Sequence, residues 1–153
     1  MTEETTFQLN GRQVTVVGDP GRSLVETLRE DLEATSVRVS CGIGLCGTCT
    51  VLVDGQAVSG CLLLTGMVAG RRVETVEGQP GSAAADAFVE CSAFQCSFCI
   101  PAMVLTAQAA VDRGVRDEHA LLEELAGNLC RCGSYPQIRQ AIARLASPEE
   151  QRS

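Results

Sequence analysis

The chain contains the stretch Cys41-Gly-Ile-Gly-Leu-Cys46-Gly-Thr-Cys49, and a fourth cysteine, Cys61, follows it. This spacing, C-x4-C-x2-C with a distant fourth cysteine, is typical of plant-type sites in which four thiolates hold a [2Fe–2S] cluster. A loop that wraps closely around the sulfurs needs glycine, which has no Cβ and accepts positive φ. The stretch therefore predicts one [2Fe–2S] site, with ligands Cys41, Cys46, Cys49 and Cys61 and with loop glycines Gly42, Gly44 and Gly47.

A second group of four cysteines lies downstream. Cys96 and Cys99 form a C-x2-C pair, and Cys130 and Cys132 form a C-x-C pair. All four are predicted at helix ends, where free N–H groups can stabilise an anionic cluster. On spacing alone this group could instead bind zinc, and zinc is also the alternative, with less support, for the first group. Because eight of the nine cysteines fall into two groups of four, the sequence favours an electron-transfer protein with two clusters.

The composition excludes some functions. The net charge is −7, so a nucleic-acid partner, which needs clustered lysine and arginine, is not expected. The N-terminal residues lack the features of a signal peptide, and no apolar run reaches the length of a membrane span. We therefore expect a cytoplasmic protein, in which nine reduced cysteines indicate metal binding rather than disulfides. We find no nucleophile, acid–base or phosphate-binding motif, so no catalytic residue is predicted.

Two hairpins are predicted in the first half of the chain. Asn10-Gly11 and Asp54-Gly55 are dipeptides typical of tight turns between strands. The residues on either side of each turn have the composition and alternation of strands. Strands are expected at residues 6–9, 13–17, 50–53 and 57–58.

One helix and two further strands complete this half. Ser23 and Glu26 have the spacing of a capping box, ahead of a helix with an apolar stripe of Leu24, Leu28 and Leu32. Strands are also predicted at residues 37–40 and 72–76. The order β-β-α-β-β-β resembles a β-grasp fold.

The second half predicts helices. Residues 77–83 are rich in turn-forming types and mark the boundary between a domain of residues 1–79 and a domain of residues 80–153. Proline suits the first turn of a helix, and Asp117 is a suitable N-cap. Four short helices suggest a bundle, so the predicted class is α+β. The first two helices are expected at residues 84–90 and from Pro101 to about residue 113. The third is expected to run from its Asp117 cap through Leu125 and to end at Gly127, and the fourth to begin at Pro136.

In these motifs the chain resembles the iron–sulfur subunit of molybdenum hydroxylases. This is the group of xanthine dehydrogenase, aldehyde oxidoreductase and aerobic carbon monoxide dehydrogenase. The resemblance covers residues 5 to 147 and includes two independent motifs in the right order. The segments that carry it are Cys41-Gly-Ile-Gly-Leu-Cys46-Gly-Thr-Cys49-Thr-Val, Ala93-Phe-Gln-Cys96-Ser-Phe-Cys99-Ile-Pro101 and Gly127-Asn-Leu-Cys130-Arg-Cys132-Gly-Ser-Tyr135-Pro136.

The resemblance implies an N-terminal ferredoxin-like β-grasp domain and a C-terminal four-helix bundle, with one [2Fe–2S] cluster in each. The helical cluster would lie nearest a molybdenum–pterin cofactor on a large subunit, with Gln95 and Cys132 contacting the pterin. The β-grasp cluster would pass electrons to FAD on a medium subunit. The chain would then be a non-catalytic subunit of an oxidoreductase that uses water as its oxygen source, in a heterotrimer or a dimer of heterotrimers.

Some positions depart from the commoner family pattern. Thr48 stands where alanine is usual, and Ser97 and Ile100 differ from the usual second motif. Cys91 stands where many relatives carry histidine, and its role is open. All eight proposed ligands are retained, so the departures bear on pterin contacts and cluster potential rather than on cluster binding.

Two other classes of function remain open from the sequence. One is a free-standing two-cluster ferredoxin-like carrier, which would purify as a small acidic monomer. The other is a zinc-stabilised interaction module, which would be colourless and free of labile sulfide. The substrate of a complex, its final electron acceptor and the cluster potentials do not follow from this chain.

Overall fold

The computed structural model describes residues 2–147. The first part is a five-stranded mixed sheet with one short helix, and the second part consists of four helices. The strand order is β2-β1-β5-β3-β4, in which β1 and β5 are parallel and the other neighbours are antiparallel. The strands are β1 (Glu3–Leu9), β2 (Arg12–Gly18), β3 (Thr50–Val53), β4 (Gln56–Ser59) and β5 (Arg72–Glu74).

Both predicted hairpins are confirmed. Asn10 and Gly11 join β1 to β2 with φ values of 50° and 79°, and Asp54 and Gly55 join β3 to β4 with φ values of 50° and 80°. Positive φ at both central residues is the type I′ geometry, whose twist matches that of the paired strands.

The predicted first helix is present but is shorter than its apolar stripe indicates. Helix α1 (Leu24–Glu26) continues as a π-helical turn over Thr27–Asp31. The Glu26 carboxylate accepts hydrogen bonds from the Ser23 N–H at 3.2 Å and the Ser23 hydroxyl at 2.6 Å. Leu24 and Leu28 are fully buried, whereas Leu32 is half-buried because the widened turn ends before it.

The prediction of a strand at residues 37–40 is wrong. In the structure this segment pairs with no strand and is instead bonded to the cysteine loop through Arg38 and Thr48. The Arg38 N–H donates to the Thr48 carbonyl at 3.2 Å, and the Thr48 hydroxyl donates to the Arg38 carbonyl at 3.0 Å. The last predicted strand also ends early, at Glu74, before a 3-10 turn at Val76–Gly78.

The four predicted helices of the second half are all observed. Ser82 caps the first of them by accepting from the Ala85 N–H at 3.3 Å, and Asp117 caps the third by accepting from the Ala120 N–H at 2.9 Å. Pro101 and Pro136 lie in the first turns of the second and fourth. The helices are α2 (Ala83–Glu90), α3 (Ile100–Asp112), α4 (Glu118–Glu124) and α5 (Tyr135–Ala146).

Each part has its own core, and the two parts pack against each other at α3. The sheet packs against α1 around Phe7, Leu28 and Val51, whereas α2 to α5 share a separate core. Between them, Leu52 of β3 packs against Leu105 and Ala109 of α3. This contact and the cysteine loops hold the two parts together. Among residues 2–147, no helix is both long enough and apolar enough to cross a membrane.

Candidate metal centres

The first cysteine quartet lies at one end of the sheet. Cys41, Cys46 and Cys49 lie on the loop between the π-helical turn and β3, and Cys61 directly follows the hairpin of β3 and β4. The hairpin brings Cys61 back because the Gly60 N–H donates to the Cys49 carbonyl at 3.1 Å. The thiol of Cys49 interacts with that of Cys61, and the thiol of Cys41 interacts with that of Cys46.

The loop aims backbone N–H groups at one sulfur. The Cys41 Sγ accepts from the N–H groups of Ile43, Leu45 and Cys46 at 3.5, 3.3 and 3.4 Å. The Ile43 N–H is the largest influence, followed by that of Cys46, and the pKa of the Cys41 thiol falls to about 6. The loop can turn inward in this way because its glycines have φ values that other residues rarely adopt, +68° at Gly42, +75° at Gly44 and +69° at Gly47.

In the same quartet, the environment of Cys49 acts on the thiol in the opposite direction to that of Cys41. Cys49 is buried, and this burial is the main reason why the pKa of its thiol rises to about 11. A buried thiol of this kind ionises when a metal supplies the compensating positive charge. Its environment therefore suits a metal ligand.

The second quartet joins two helix ends. Cys96 and Cys99 lie directly before α3, and Cys130 and Cys132 lie directly before α5. The thiol of Cys96 interacts with that of Cys132, and the thiol of Cys99 interacts with that of Cys130. The structure therefore brings together the four cysteines that the sequence analysis grouped.

The thiols of the second quartet also differ in their surroundings. Cys99 is buried, and burial is the main cause that raises the pKa of its thiol to about 12. Partial burial acts to raise the pKa of the Cys130 thiol, but the N–H groups of Ser134 and Gly133 outweigh it and the pKa is lowered. Cys96 and Cys132 are exposed.

The donor chemistry fits iron–sulfur clusters. All nine cysteines are free thiols, eight of them fall into the two quartets, and backbone N–H groups face sulfurs in both. The thiols interact mainly in pairs. Among residues 2–147, no set of three or more His, Cys, Asp or Glu side chains closes around the position of a single metal ion.

The two quartets lie on loops that touch. The Leu129 N–H donates to the Cys46 carbonyl at 2.9 Å, and the buried Asn128 side chain donates to the Gly47 carbonyl at 2.9 Å. A Cβ added to Gly47 would overlap the Gly127 carbonyl oxygen and lie 2.7 Å from Asn128 Nδ2. Gly47 is thus required by the contact between the two parts as well as by its own loop.

A cleft of about 510 Å³ lies beside this contact and borders both quartets. Its walls include Cys46 from the first quartet and Cys96, Cys99 and Cys130 from the second. Exposed apolar side chains surround the quartets on the outer surface. Around the first these are Ile43, Leu45 and Leu62, and around the second they are Phe94, Phe98, Leu129 and Tyr135.

The remaining residues singled out from the sequence are also located. Gln95 is exposed next to Cys96. Cys91 lies at the end of α2, half-buried against the helical core, and belongs to neither quartet.

Two residues that the sequence analysis assigned no role connect the loops. Arg38 donates from Nη1 to the Ser97 carbonyl at 2.5 Å, and Asn128 bonds Gly47. Asn128 lies two positions before Cys130, inside a segment that carries the family resemblance, and this position was its sequence signal. Arg38 lies three positions before Cys41 and outside those segments.

Two adjoining four-thiol sites in one chain are typical of iron–sulfur electron-transfer proteins, and comparison with known proteins agrees. Residues 7–82 match a family described as a 2Fe-2S iron-sulfur cluster binding domain, and residues 73–143 match a [2Fe-2S] binding domain.

Similar proteins extend over nearly the whole chain. The small FeS subunit of nicotinate dehydrogenase from Eubacterium barkeri is 37% identical over 89% of this chain and 90% of its own. The xanthine dehydrogenase iron-sulfur-binding subunit of Escherichia coli O157:H7 is 37% identical over 88% of each. In the crystal structure of quinoline 2-oxidoreductase from Pseudomonas putida 86, a chain with 31% identity matches with a TM-score of 0.86 over 99% of both chains. The chain belongs to the iron–sulfur subunits of the molybdenum hydroxylase family.

Proposed function

We propose that this chain relays electrons within a heteromeric molybdenum-dependent hydroxylase or dehydrogenase, from a molybdenum–pterin site through two [2Fe–2S] clusters to FAD. The observation that carries the proposal is the direct contact between the two cysteine loops, in which the Leu129 N–H donates to the Cys46 carbonyl at 2.9 Å. Two redox centres held on touching loops are suited to passing electrons from one centre to the other.

In this proposal eight thiolates hold the two clusters. When bound, a [2Fe–2S] cluster supplies a centre that takes up and releases electrons at a potential set by its protein environment. The chain's own contribution is to hold the sulfurs and to offset their negative charge with backbone N–H groups. The ligands are Cys41, Cys46, Cys49 and Cys61 in the sheet part and Cys96, Cys99, Cys130 and Cys132 in the helical part, with Gly42, Gly44 and Gly47 shaping the first loop.

The exposed residues at the second quartet support a pterin contact there. Cys96, Cys132 and the neighbouring Gln95 are all exposed, so a cofactor on another subunit could reach them. We propose that the Gln95 side chain and the Cys132 ligand contact the pterin of the large subunit. The FAD of the medium subunit would approach the first quartet.

The fold supports a finer description of the two parts. We propose that the sheet, with β1 and β5 parallel at its centre, is a ferredoxin-like β-grasp domain and that α2 to α5 are a four-helix bundle. The domains are assigned to residues 1–79 and 80–153, of which 1 and 148–153 lie outside the described residues. The turn at Val76–Gly78 lies next to this proposed boundary.

The chemistry of substrate oxidation would belong to the partner subunits. We propose that the chain has no catalytic residue, that water supplies the oxygen at the molybdenum site, and that the complex is a heterotrimer or a dimer of heterotrimers. We also propose a cytoplasmic location, since nine free thiols are typical of a reducing compartment.

A free-standing electron carrier is the alternative function. The apolar surface argues against it, because Ile43, Leu45 and Leu62 are each more than 60% exposed beside the first quartet. Apolar groups that flank a redox site on an otherwise acidic chain are typical of a surface that a partner covers.

Isolation of the chain from its host, followed by metal and flavin analysis, tests the proposal. We expect a large complex containing molybdenum and FAD, with about four iron and four sulfide per chain and two distinct [2Fe–2S] EPR signals after reduction. A small monomer with both signals would indicate the free carrier. A colourless protein with zinc and no labile sulfide would contradict any electron-transfer role.

A further inference from the structure

Arg38 is the one residue of the sheet part, among those described, whose side chain donates to the Cys96–Cys99 loop. Its backbone is bonded in both directions to Thr48, which lies between Cys46 and Cys49. Its guanidinium reaches across to the helical part, donates from Nη1 to the Ser97 carbonyl at 2.5 Å, and lies 5.4 Å from the centroid of the Phe98 ring. Arg38 is therefore fixed at one end to the first cysteine loop and at the other to the second.

The carbonyl that Arg38 binds belongs to a peptide group with a second role. The Ser97 C=O and the Phe98 N–H are the two ends of one peptide unit, and the Phe98 N–H faces the Cys96 thiol. A cation on the oxygen side of a peptide polarises it and strengthens the hydrogen bond made by its N–H side.

The local backbone needs such support. Ser97 has a φ of +62°, in the left-handed region that is costly for residues other than glycine and asparagine. The Arg38 hydrogen bond to its carbonyl and the contact of the guanidinium with the Phe98 ring hold the loop in this conformation. The half-buried position of Arg38 limits the screening of its charge by solvent.

We propose that Arg38 is a positioning residue for the helical-domain cluster, which fixes and polarises the Ser97–Phe98 peptide and thereby raises the reduction potential of a cluster held by Cys96. The proposal rests on the proposed function, in which Cys96 is a cluster ligand. Hydrogen bonds to cluster sulfurs are among the factors that set such potentials, because they offset the negative charge added by reduction.

The experiment is a redox titration of the full chain, isolated with its natural partners and followed by EPR, for Arg38→Met and Arg38→Lys. Arg116→Met is the matched control. It also removes an arginine that donates to backbone carbonyls, those of Val111 at 2.6 Å and Val115 at 2.9 Å, but it contacts neither cysteine loop.

With full iron content, we expect the helical-domain signal of Arg38→Met to shift to more negative potential. In Arg38→Lys, which keeps the charge but not the planar fork, we expect the helical-domain signal to shift less than it does in Arg38→Met. In both variants the sheet-domain signal should shift less than the helical-domain signal. The g-values of the helical-domain signal should change as well, because the Cys96 environment changes.

Unchanged potentials in Arg38→Met, equal shifts of both signals, or an equal shift in Arg116→Met would overturn the proposal. If Arg38→Met loses iron, the decision falls to Arg38→Lys, whose helical-domain potential must shift for the proposal to stand. Absence of the helical-domain signal in the unsubstituted protein would instead contradict the proposed function itself.

Discussion

The two cysteine regions place four thiols together by different means. In the first, three of four cysteines lie within nine consecutive positions, and glycines with positive φ turn the loop around Cys41. In the second, the two pairs are separated by the whole of α3 and α4 and meet only because the helices pack around one core. The first site is thus largely a product of local chain conformation, whereas the second is a product of helix packing.

The largest effects should come from removing one ligand of each region. In Cys130→Ser we expect loss of the helical-domain EPR signal and about half of the iron and sulfide, because one quartet no longer has four thiolates. Cys46→Ser is the mirror variant and should remove the other signal. If either variant lost the signal of the opposite region alone, the assignment of the ligands would be wrong.

Core substitutions should show whether each cluster depends on the core of its own part. Leu28 and Ile142 are both fully buried, one in each core. Replacing either by alanine should destabilise its own part by about 2–5 kcal/mol. On heating, we expect Ile142→Ala to release the helical-domain cluster first and Leu28→Ala to release the sheet-domain cluster first. The measurement is the EPR signal that remains for each cluster after incubation at increasing temperature.

Release of the two clusters in the same order in both variants would contradict this separation. It would mean that the parts unfold as one unit despite their separate cores.

A pair of glycine substitutions can isolate the contact between the regions. Gly42 and Gly47 have nearly equal positive φ, but only Gly47 approaches the backbone of the other part. Gly42→Ala should cost the strain of a left-handed residue, about 1–2 kcal/mol. Gly47→Ala should cost about 1–3 kcal/mol more, because its Cβ overlaps the Gly127 carbonyl.

Thermal unfolding of the two variants, each with its full iron content, measures this difference. Equal destabilisation would mean that the approach of Gly47 to Gly127 contributes nothing.

The smallest expected effect is a pH dependence confined to the first region. Glu77 accepts hydrogen bonds from the N–H and hydroxyl of Ser36, at the start of the segment that leads to the first loop, and from the Thr75 hydroxyl. Partial desolvation acts to raise the pKa of Glu77, but the Ser36 and Thr75 hydrogen bonds outweigh it and the pKa is lowered.

A lowered pKa gives stability that is fully present above the ordinary value of 4.5 and is lost as the pH falls through the folded-state value. We expect Glu77→Gln to reduce the loss of thermal stability below about pH 4.5, as measured by circular dichroism. Glu123→Gln, on α4 away from both loops, is the control. An identical pH profile for both variants would show that the Glu77 contacts add no stability.

Local patterns account for the elements that the sequence predicted correctly. Asn10-Gly11 and Asp54-Gly55 form their turns because few other pairs accept two positive φ values. Ser23 with Glu26, and Asp117, cap their helices by bonds that span three residues. Residues 37–40 were predicted as a strand on composition, but a strand requires a partner, and that partner is a property of the tertiary arrangement.

From the sequence alone, cysteine spacing predicted the two thiol quartets and the family, and turn dipeptides and caps predicted most of the elements, because each of these signals acts over a short stretch. The way in which the two quartets meet depends on tertiary contacts. The Leu129–Cys46 and Asn128–Gly47 hydrogen bonds and the reach of Arg38 to Ser97 join residues 59 to 83 positions apart. No local rule links positions so distant, since their proximity follows from the packing of α3 on β3 and from close backbone contact at a glycine.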